Sequence, residues 1–407
     1  MTERLYYHDS FLLSFDARVL EATERQGRSA IVLDRTAFYP TSGGQVHDTG
    51  KLMLEDGREV AVGETAEEED GRIFHFTAGP VEQGQTVHGV IDSARRRDHM
   101  QQHSGQHVLS AAFVRLFDAP TVSFHMGVES CTIDLTVKSL NSSEVAQTEL
   151  LANEIVSEDR AVNIRFVSLD EARQLALRKL PPKQSGQLRL IDIVDFDLTA
   201  CGGTHVRSTG QIGAILVRKI ENVKQGVRVE FVCGLRAVAT ARQDYLTLTQ
   251  AASLFSAHIR ELPGQVEKSI QESKAAGKIQ HKLLEELAEL SAERLLAQVT
   301  SSPRTITRFF PDRDATFIKL LAQKLTASPD VTAFLASGVG QVALVFAQSP
   351  RMKANMGQLM KEAMATLGGR GGGSADMAQG GLPVGAADLA KVEDVLQEMA
   401  ARLQAAT

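Results

Sequence analysis

The first ninety positions carry short apolar runs broken by turn residues. Ala30-Ile31-Val32-Leu33 is continuous, Arg72-Ile73-Phe74-His75-Phe76 reads as a strand, and Val87-His88-Gly89-Val90-Ile91 alternates. Short strands between turn signals predict a small β-barrel or curled sheet over residues 1–90. Within it, Phe38 to Gln45 breaks the pattern: Pro40 fixes the backbone and Gly43-Gly44 frees it, which predicts a loop. From 91 to 236 helical and alternating periods mix. Val108, Leu109, Ala112, Phe113 and Leu116 fall at helical spacing and predict a helix over 98–117. A second helix is expected over 143–157, opened by a hydroxyl cap. Strands are expected at 131–137, 164–167, 188–191, 212–220 and 227–233. That order predicts an α+β fold with a mostly antiparallel sheet.

Residues 237–299 are nearly all helix formers, interrupted at Leu262-Pro263-Gly264, where Pro263 can open a second helix. Leu283, Leu287 and Leu290, with Leu284 and Leu295, give apolar faces and predict a helical hairpin or coiled coil. Residues 300–407 predict another compact piece, with apolar runs at 315–325 and 342–346, a Gly-rich loop and a final helix from about Ala387. The expected organisation is therefore four pieces: 1–90, 91–236, 237–299 and 300–407.

Composition narrows this picture. A 43% hydrophobic and 23% charged chain of 407 residues is globular, and its length favours several domains. No apolar run approaches the roughly 18 residues that a membrane span needs, and the N-terminus does not read as a secretory signal. Three cysteines suit a reducing compartment, so a cytoplasmic location is expected. The net charge of −6 is uneven: residues 1–90 hold 8 Lys+Arg against 16 Asp+Glu. The acidic stretch Glu64 to Asp70 reads as a solvated loop that would repel a phosphate backbone. A nucleic-acid partner would have to meet local positive patches. Arg95-Arg96-Arg97 is one candidate, although an arginine run taken alone reads first as a solvated, charged helix start.

Two segments carry candidate chemistry. His103-Ser104-Gly105-Gln106-His107 places two imidazoles at i and i+4, one turn apart on one helical face. Cys201-Gly202-Gly203-Thr204-His205 repeats that spacing, and its glycines let the backbone approach something closely. Together they form a candidate His₃Cys set for one Zn²⁺ per chain, structural if closed or catalytic if a position stays open. A metalloprotease would need glutamate where Ser104 stands. A two-metal phosphoesterase is discounted, because no Asp-His-His triplet occurs. Cys131 and Cys233 lie in strand-like segments and read as small core residues.

The run from Cys201 through Val206-Arg207-Ser208-Thr209-Gly210-Gln211-Ile212-Gly213 closely resembles the signature of the alanyl-tRNA synthetase editing domain and its free-standing relatives, the AlaX-type editing proteins. His103 to His107, preceded by Arg96, Arg97 and Met100, resembles the other half of that family's zinc site. Phe38 to Gln45, followed by Asp48 and Gly50, is similar to the glycine motif of the N-terminal barrel. Gly371 to Gly381 resembles the DHH-associated domain of the synthetase C-terminus.

The resemblance implies a barrel, a zinc-dependent editing domain, a coiled-coil linker and a C-terminal α/β domain, the layout of long-form AlaX. No aminoacylation core is found, so the implied activity is hydrolysis, in trans, of mischarged tRNA(Ala), chiefly Ser-tRNA(Ala). His103, His107, Cys201 and His205 are the implied ligands and catalytic set. Gly43 and Gly44 would line the pocket, while Gly202, Gly203 and Thr204 would bring amides to the reacting centre. Ser123 would read the serine hydroxyl. The Gly-rich run near the C-terminus is either a flexible tether or, by resemblance, a tRNA-binding surface that includes Arg370. A homodimer through the helical or C-terminal region is a further expectation. Two other functions are weighed: a non-catalytic zinc module that binds tRNA, and a deacylase of different amino-acid selectivity.

Overall fold

The computed structural model describes residues 2–25, 27–178, 187–224, 226–382 and 389–405. The chain divides into two compact units, Met1–Gln250 and Ala251–Thr407.

The first unit opens with β1 (Glu3–Arg4), followed by β2 (Ser14–Arg25), β3 (Arg28–Leu33), β4 (Arg35–Thr36), β5 (Gly50–Leu54), β6 (Glu59–Glu67), β7 (Ile73–Thr77) and β8 (Thr86–Ile91). β1 and β4 pair in parallel, and the other six close a barrel in the order β2-β3-β7-β6-β5-β8. Alternation along each strand sends Phe15, Ala17, Val19, Leu52, Val60, Val62 and Val87 inward. Closure removes the exposed edges that a curled sheet would leave. The acidic stretch departs from expectation. Residues 64–67 end β6 instead of forming a loop, with Thr65 turned inward and Glu64 and Glu67 paired to Arg28 and Arg4. The barrel supplies cations opposite each outward carboxylate, which offsets the low strand propensity of glutamate.

Next come α1 (Ser93–Phe117), β9 (Thr121–Met126), β10 (Cys131–Leu135), α2 (Ser142–Ser157), β11 (Val162–Ser168), α3 (Leu169–Gln174), β12 (Gln187–Ile193), β13 (Asp197–Ala200), β14 (Ile215–Val223) and β15 (Gly226–Cys233). One antiparallel sheet runs β14-β15-β10-β9 and another β11-β12-β13. A core of Val108, Leu109, Phe113, Ile133, Val229 and Phe231, joined by Ile191 and Ile193, fills the space around α1. Cys131 and Cys233 belong to this core, and burial pushes the Cys131 thiol up to about 12. Gly105 lets α1 approach β15, since a Cβ there would lie 2.2 Å from Cys233 Sγ.

Several boundaries differ from the sequence reading, three of them for a clear local reason. α1 begins at Ser93, because Asp92 caps the amides of Ala94 and Arg95. α2 is capped by Asn141 in a capping box with Glu144, where a hydroxyl was expected. Ile212 lies in a short 3₁₀ turn before β14, because Gly213 at φ 73° breaks the chain direction there. The arginine run is also not a uniformly solvated helix start. Arg96 is fully buried and bonds Asp48 from Nε at 3.1 Å, Ser10 O from Nη1 at 2.7 Å and Ala37 O from Nη2 at 2.5 Å. That charge is committed to joining α1 to the barrel and to the loop before β5.

α4 (Gly234–Ser253) closes the first unit and runs past its boundary, while α5 (Leu262–Ala297) belongs to the second, with Pro263 in its first turn. The rest of the second unit is β16 (Arg304–Phe310), α6 (Ala315–Thr326), β17 (Val331–Ser337), β18 (Ala343–Gln348), α7 (Met356–Leu367), β19 (Arg370–Gly373), β20 (Met377–Gly381) and α8 (Leu389–Ala405). The sheet order is β16-β17-β18-β20-β19, parallel only at β16-β17. One apolar face of α5, with Leu284, Ala288, Ala292 and Leu295, packs into the core beside α6. The Gly-rich run forms the β19-β20 hairpin, so the flexible-tether reading is corrected. Its glycines allow close packing on α7: a Cβ on Gly380 would meet the sulfurs of Met360 and Met364 at 2.7 Å. The start expected for the final helix, Ala387, lies outside the described residues.

Candidate metal centre

α1 is the element that builds the site. From His99 to Phe113 it is buried on nearly every side, although His99, Gln102, His103, Ser104, Gln106, His107 and Ser110 are polar. Buried polar groups persist where they are bonded or used. Here Gln102 exchanges two hydrogen bonds with the main chain of Cys233, at 2.8 and 3.0 Å, which fixes the rotation of α1 against β15.

That rotation aims His103 and His107 at the turn after β13. The donor atoms of His103, His107, Cys201 and His205 all lie within 4.8 Å of one another. His103 Nε2 is 3.4 Å and His205 Nε2 3.3 Å from Cys201 Sγ. A tetrahedral shell with about 2.0 Å to nitrogen and about 2.3 Å to sulfur spaces N and S by roughly 3.5 Å. Both N–S pairs sit at that separation, and the four groups together form a set that could hold one ion.

The far side of each imidazole is also occupied. His103 Nδ1 donates to Gln45 Oε1 at 2.7 Å, and His205 Nδ1 donates to Ser104 Oγ at 3.1 Å. Asp197 Oδ2 lies 3.5 Å from His107 Nδ1, and Arg178 grips that carboxylate at 2.7 and 3.1 Å. The partners of His103 and His205 fix their tautomers and point Nε2 inward, while His107 Nδ1 faces the Asp197 carboxylate without a hydrogen bond. Gln45 also receives the Thr204 amide at 3.1 Å and donates to Thr204 Oγ1 at 2.9 Å. The loop of the N-terminal barrel is thereby tied to both halves of the site.

The electrostatics favour a thiolate at Cys201 and a neutral imidazole at His205. Burial alone would raise the Cys201 thiol, but the charges of His103 and His205 and hydrogen bonds from His103 and His107 outweigh it and hold the group well below its ordinary value. Burial lowers His205 to about 3, against the upward pull of Cys201. Burial would likewise lower His107, but Asp197 and Cys201 turn the balance upward.

The other sequence candidates divide. Gly43 borders a cleft of about 360 Å³ whose wall includes His103, Gln106, His107, Thr121, Arg178, Thr199 and Cys201. Gly44 instead packs on β9: a Cβ there would stand 2.3 Å from Phe124 O, and its carbonyl accepts from the Met126 amide. Gly203 is a spacer, since a Cβ would fall 2.1 Å from His103 Cε1. Gly202 packs toward the Tyr7 side chain. The amides of Gly203 and Thr204 donate to Cys201 Sγ and Gln45 Oε1. Both amides are thus engaged within the site itself.

Ser123 lies on the cleft wall, with its hydroxyl engaged elsewhere. It pairs with Asp134 across the sheet and its hydroxyl donates to that carboxylate at 2.7 Å. Ile133 and Leu135 face the core, so Asp134 and Ser123 alternate to the other face of the sheet. Thr121 and Phe124, paired with Leu135 and Ile133, take the inner face. Phe124 stacks at a tilt 5.3 Å from the His103 ring. Thr121 Oγ1 meets Ser110 Oγ at 2.7 Å, and Ser110 accepts from Gln106 Nε2 at 2.8 Å. The sequence reading missed Gln45, Ser104, Gln106, Thr121, Arg178 and Asp197. Polar residues within the apolar stripe of α1 were the available signal for Ser104 and Gln106.

The chain is similar to known proteins along most of its length. Residues 3–95 match the model for class II (A) tRNA synthetases, 188–229 the threonyl and alanyl tRNA synthetase second additional domain, and 307–405 the DHHA1 domain. The alanyl-tRNA editing protein AlaX-L of Pyrococcus horikoshii is 30% identical over 93% of this chain and 94% of its own length. The alanine–tRNA ligase of Pyrococcus abyssi is 32% identical over 98% of this chain, which spans 43% of that enzyme. The C-Ala domain of Aquifex aeolicus alanyl-tRNA synthetase covers 23% of this chain at 26% identity, with a TM-score of 0.21.

Proposed function

The chain belongs to the family of alanyl-tRNA editing proteins that includes AlaX-L, and on that premise we propose that it deacylates mischarged tRNA(Ala) in trans, chiefly Ser-tRNA(Ala). The observation that carries the reading is the convergence of His103, His107, Cys201 and His205 beside an open cleft. Three nitrogens and one thiolate suit Zn²⁺. Bound there, zinc would supply a Lewis acid for the ester carbonyl or a water of lowered pKa.

The chain's own residues do the rest. Gln45, Ser104 and Asp197 orient the three imidazoles. Phe124 covers one side of His103 and limits water on that wall. Gly43 leaves the mouth of the cleft clear for the aminoacyl end. Thr121, oriented by Ser110, offers a hydroxyl to the side chain of the bound amino acid. Serine satisfies that partner and alanine does not, a difference of roughly 1–3 kcal/mol. A synthetic site discriminates weakly against an added hydroxyl, so a second site built to bond it is the effective remedy. The substrate implies a cytoplasmic protein, and Arg370 with the glycine amides of β19-β20 would meet tRNA phosphates.

Purified protein incubated with seryl-tRNA(Ala) tests this. Ester cleavage that stops on zinc chelation and returns with zinc is the expected result. Binding without cleavage under any metal condition would instead identify a non-catalytic tRNA-binding module.

A further inference from the structure

One buried cation is left unexplained by this account. Arg189 on β12 is 7% exposed, and no carboxylate forms an ion pair with it among the described residues. A buried charge without an ionic partner is costly and is retained where it does something. Its guanidinium donates from Nη1 to the carbonyl of Cys201 at 2.7 Å and from Nε to the carbonyl of Tyr7 at 2.9 Å, while Nη2 has no partner. The group also lies over the Tyr7 ring, 5.5 Å from its centroid.

These contacts place Arg189 at a junction. The Cys201 amide donates to the Arg189 carbonyl at 3.2 Å, so Cys201 is held through both of its main-chain polar groups by this one residue. Tyr7 belongs to the N-terminal segment that also contains Ser10. Ser10 Oγ accepts from the His205 amide at 3.1 Å, and its carbonyl accepts from Arg96 on α1. The ligand turn is thus suspended between β12 and residues 7–10. Gly202 and Gly203, inside that turn, leave it little intrinsic stiffness.

We propose that Arg189 is a positioning residue: it fixes the Cys201 main chain against the N-terminal segment so that the thiolate meets the three imidazoles at ligand distance. The proposal rests on the metal reading above. It concerns where the sulfur sits, not the chemistry of the cleft.

The test uses Co²⁺ titration of the metal-free full-length protein, read by the absorption of the thiolate–cobalt bond, with Arg189→Met, Arg189→Lys and Cys201→Ala variants. Wild type is expected to show the thiolate band and Cys201→Ala to lack it. Arg189→Met should bind Co²⁺ roughly 10- to 100-fold more weakly, with a diminished thiolate band. Arg189→Lys, which keeps a donor for one carbonyl, should recover part of both. Circular dichroism and melting of each variant separate this from unfolding, and Arg189→Lys carries the test if Arg189→Met does not fold. Unchanged affinity and spectrum in a folded Arg189 variant would overturn the proposal. A wild type that binds Co²⁺ without a thiolate band, or not at all, would instead overturn the metal reading beneath it.

Discussion

Single atoms decide whether the site can exist. Gly203 has no Cβ because His103 occupies that space. Gly203→Ala is therefore expected to lower bound metal and deacylation together, by tenfold or more on the scale of outer-shell damage, read by elemental analysis and by tRNA deacylation. Full metal occupancy in that variant would mean the turn can shift, contrary to the close approach described. The selectivity claim is also a single-residue claim. Thr121→Val keeps the shape and removes the hydroxyl, so the preference for seryl over alanyl esters should shrink by roughly 1–3 kcal/mol. Ser123→Ala should leave that preference intact. Loss of selectivity in Ser123→Ala alone would contradict the strand parity argued above.

At the scale of elements, the legible part was what periodicity and turn chemistry control. Three of the barrel strands (β3, β7 and β8), the ligand helix and the two i, i+4 pairs follow from local patterns. Tertiary partners were not legible. Glutamates 64 and 67 lie in a strand because Arg28 and Arg4 face them, and the glycines of β19-β20 are packed because α7 presses on them. Thr121 was missed for a related reason: the bulge between Asp134 and Leu135 brings it, rather than Val122, opposite Leu135, and one sequence does not reveal a bulge.

The barrel makes its own prediction. His75 on β7 is fully buried, its Nε2 accepting from Thr36 Oγ1 at 2.8 Å, and burial lowers it from 6.5 to about 4. Between those values the unfolded chain binds the proton and the folded one does not, so the contribution is present above pH 6.5 and is lost as pH falls toward 4. Urea unfolding should show up to roughly 3 kcal/mol of this loss in wild type. The difference between wild type and His75→Gln should therefore change with pH across that window. A pH-independent difference would contradict a buried neutral imidazole.

At the scale of the whole molecule, α5 retains a second apolar face. Ile279, Leu283, Leu287 and Leu290 are exposed, while the opposite face is packed. Lys274 and Lys278 lie before Leu283, and Glu285, Glu286, Glu289 and Glu293 follow it. An antiparallel second copy centred near Leu283 would bring these opposite charges together. Sedimentation should show a dimer that Leu283→Asp dissociates without loss of deacylation; a wild-type monomer at high concentration would refute pairing through α5.

The central claim is that two distant stretches of one chain bind one ion. X-ray absorption at the zinc edge measures this directly. The account predicts one zinc per chain, with one sulfur near 2.3 Å and three nitrogens near 2.0 Å, and no sulfur in Cys201→Ala. A first shell without sulfur in wild type, or zinc bound unchanged after loss of Cys201, would contradict it.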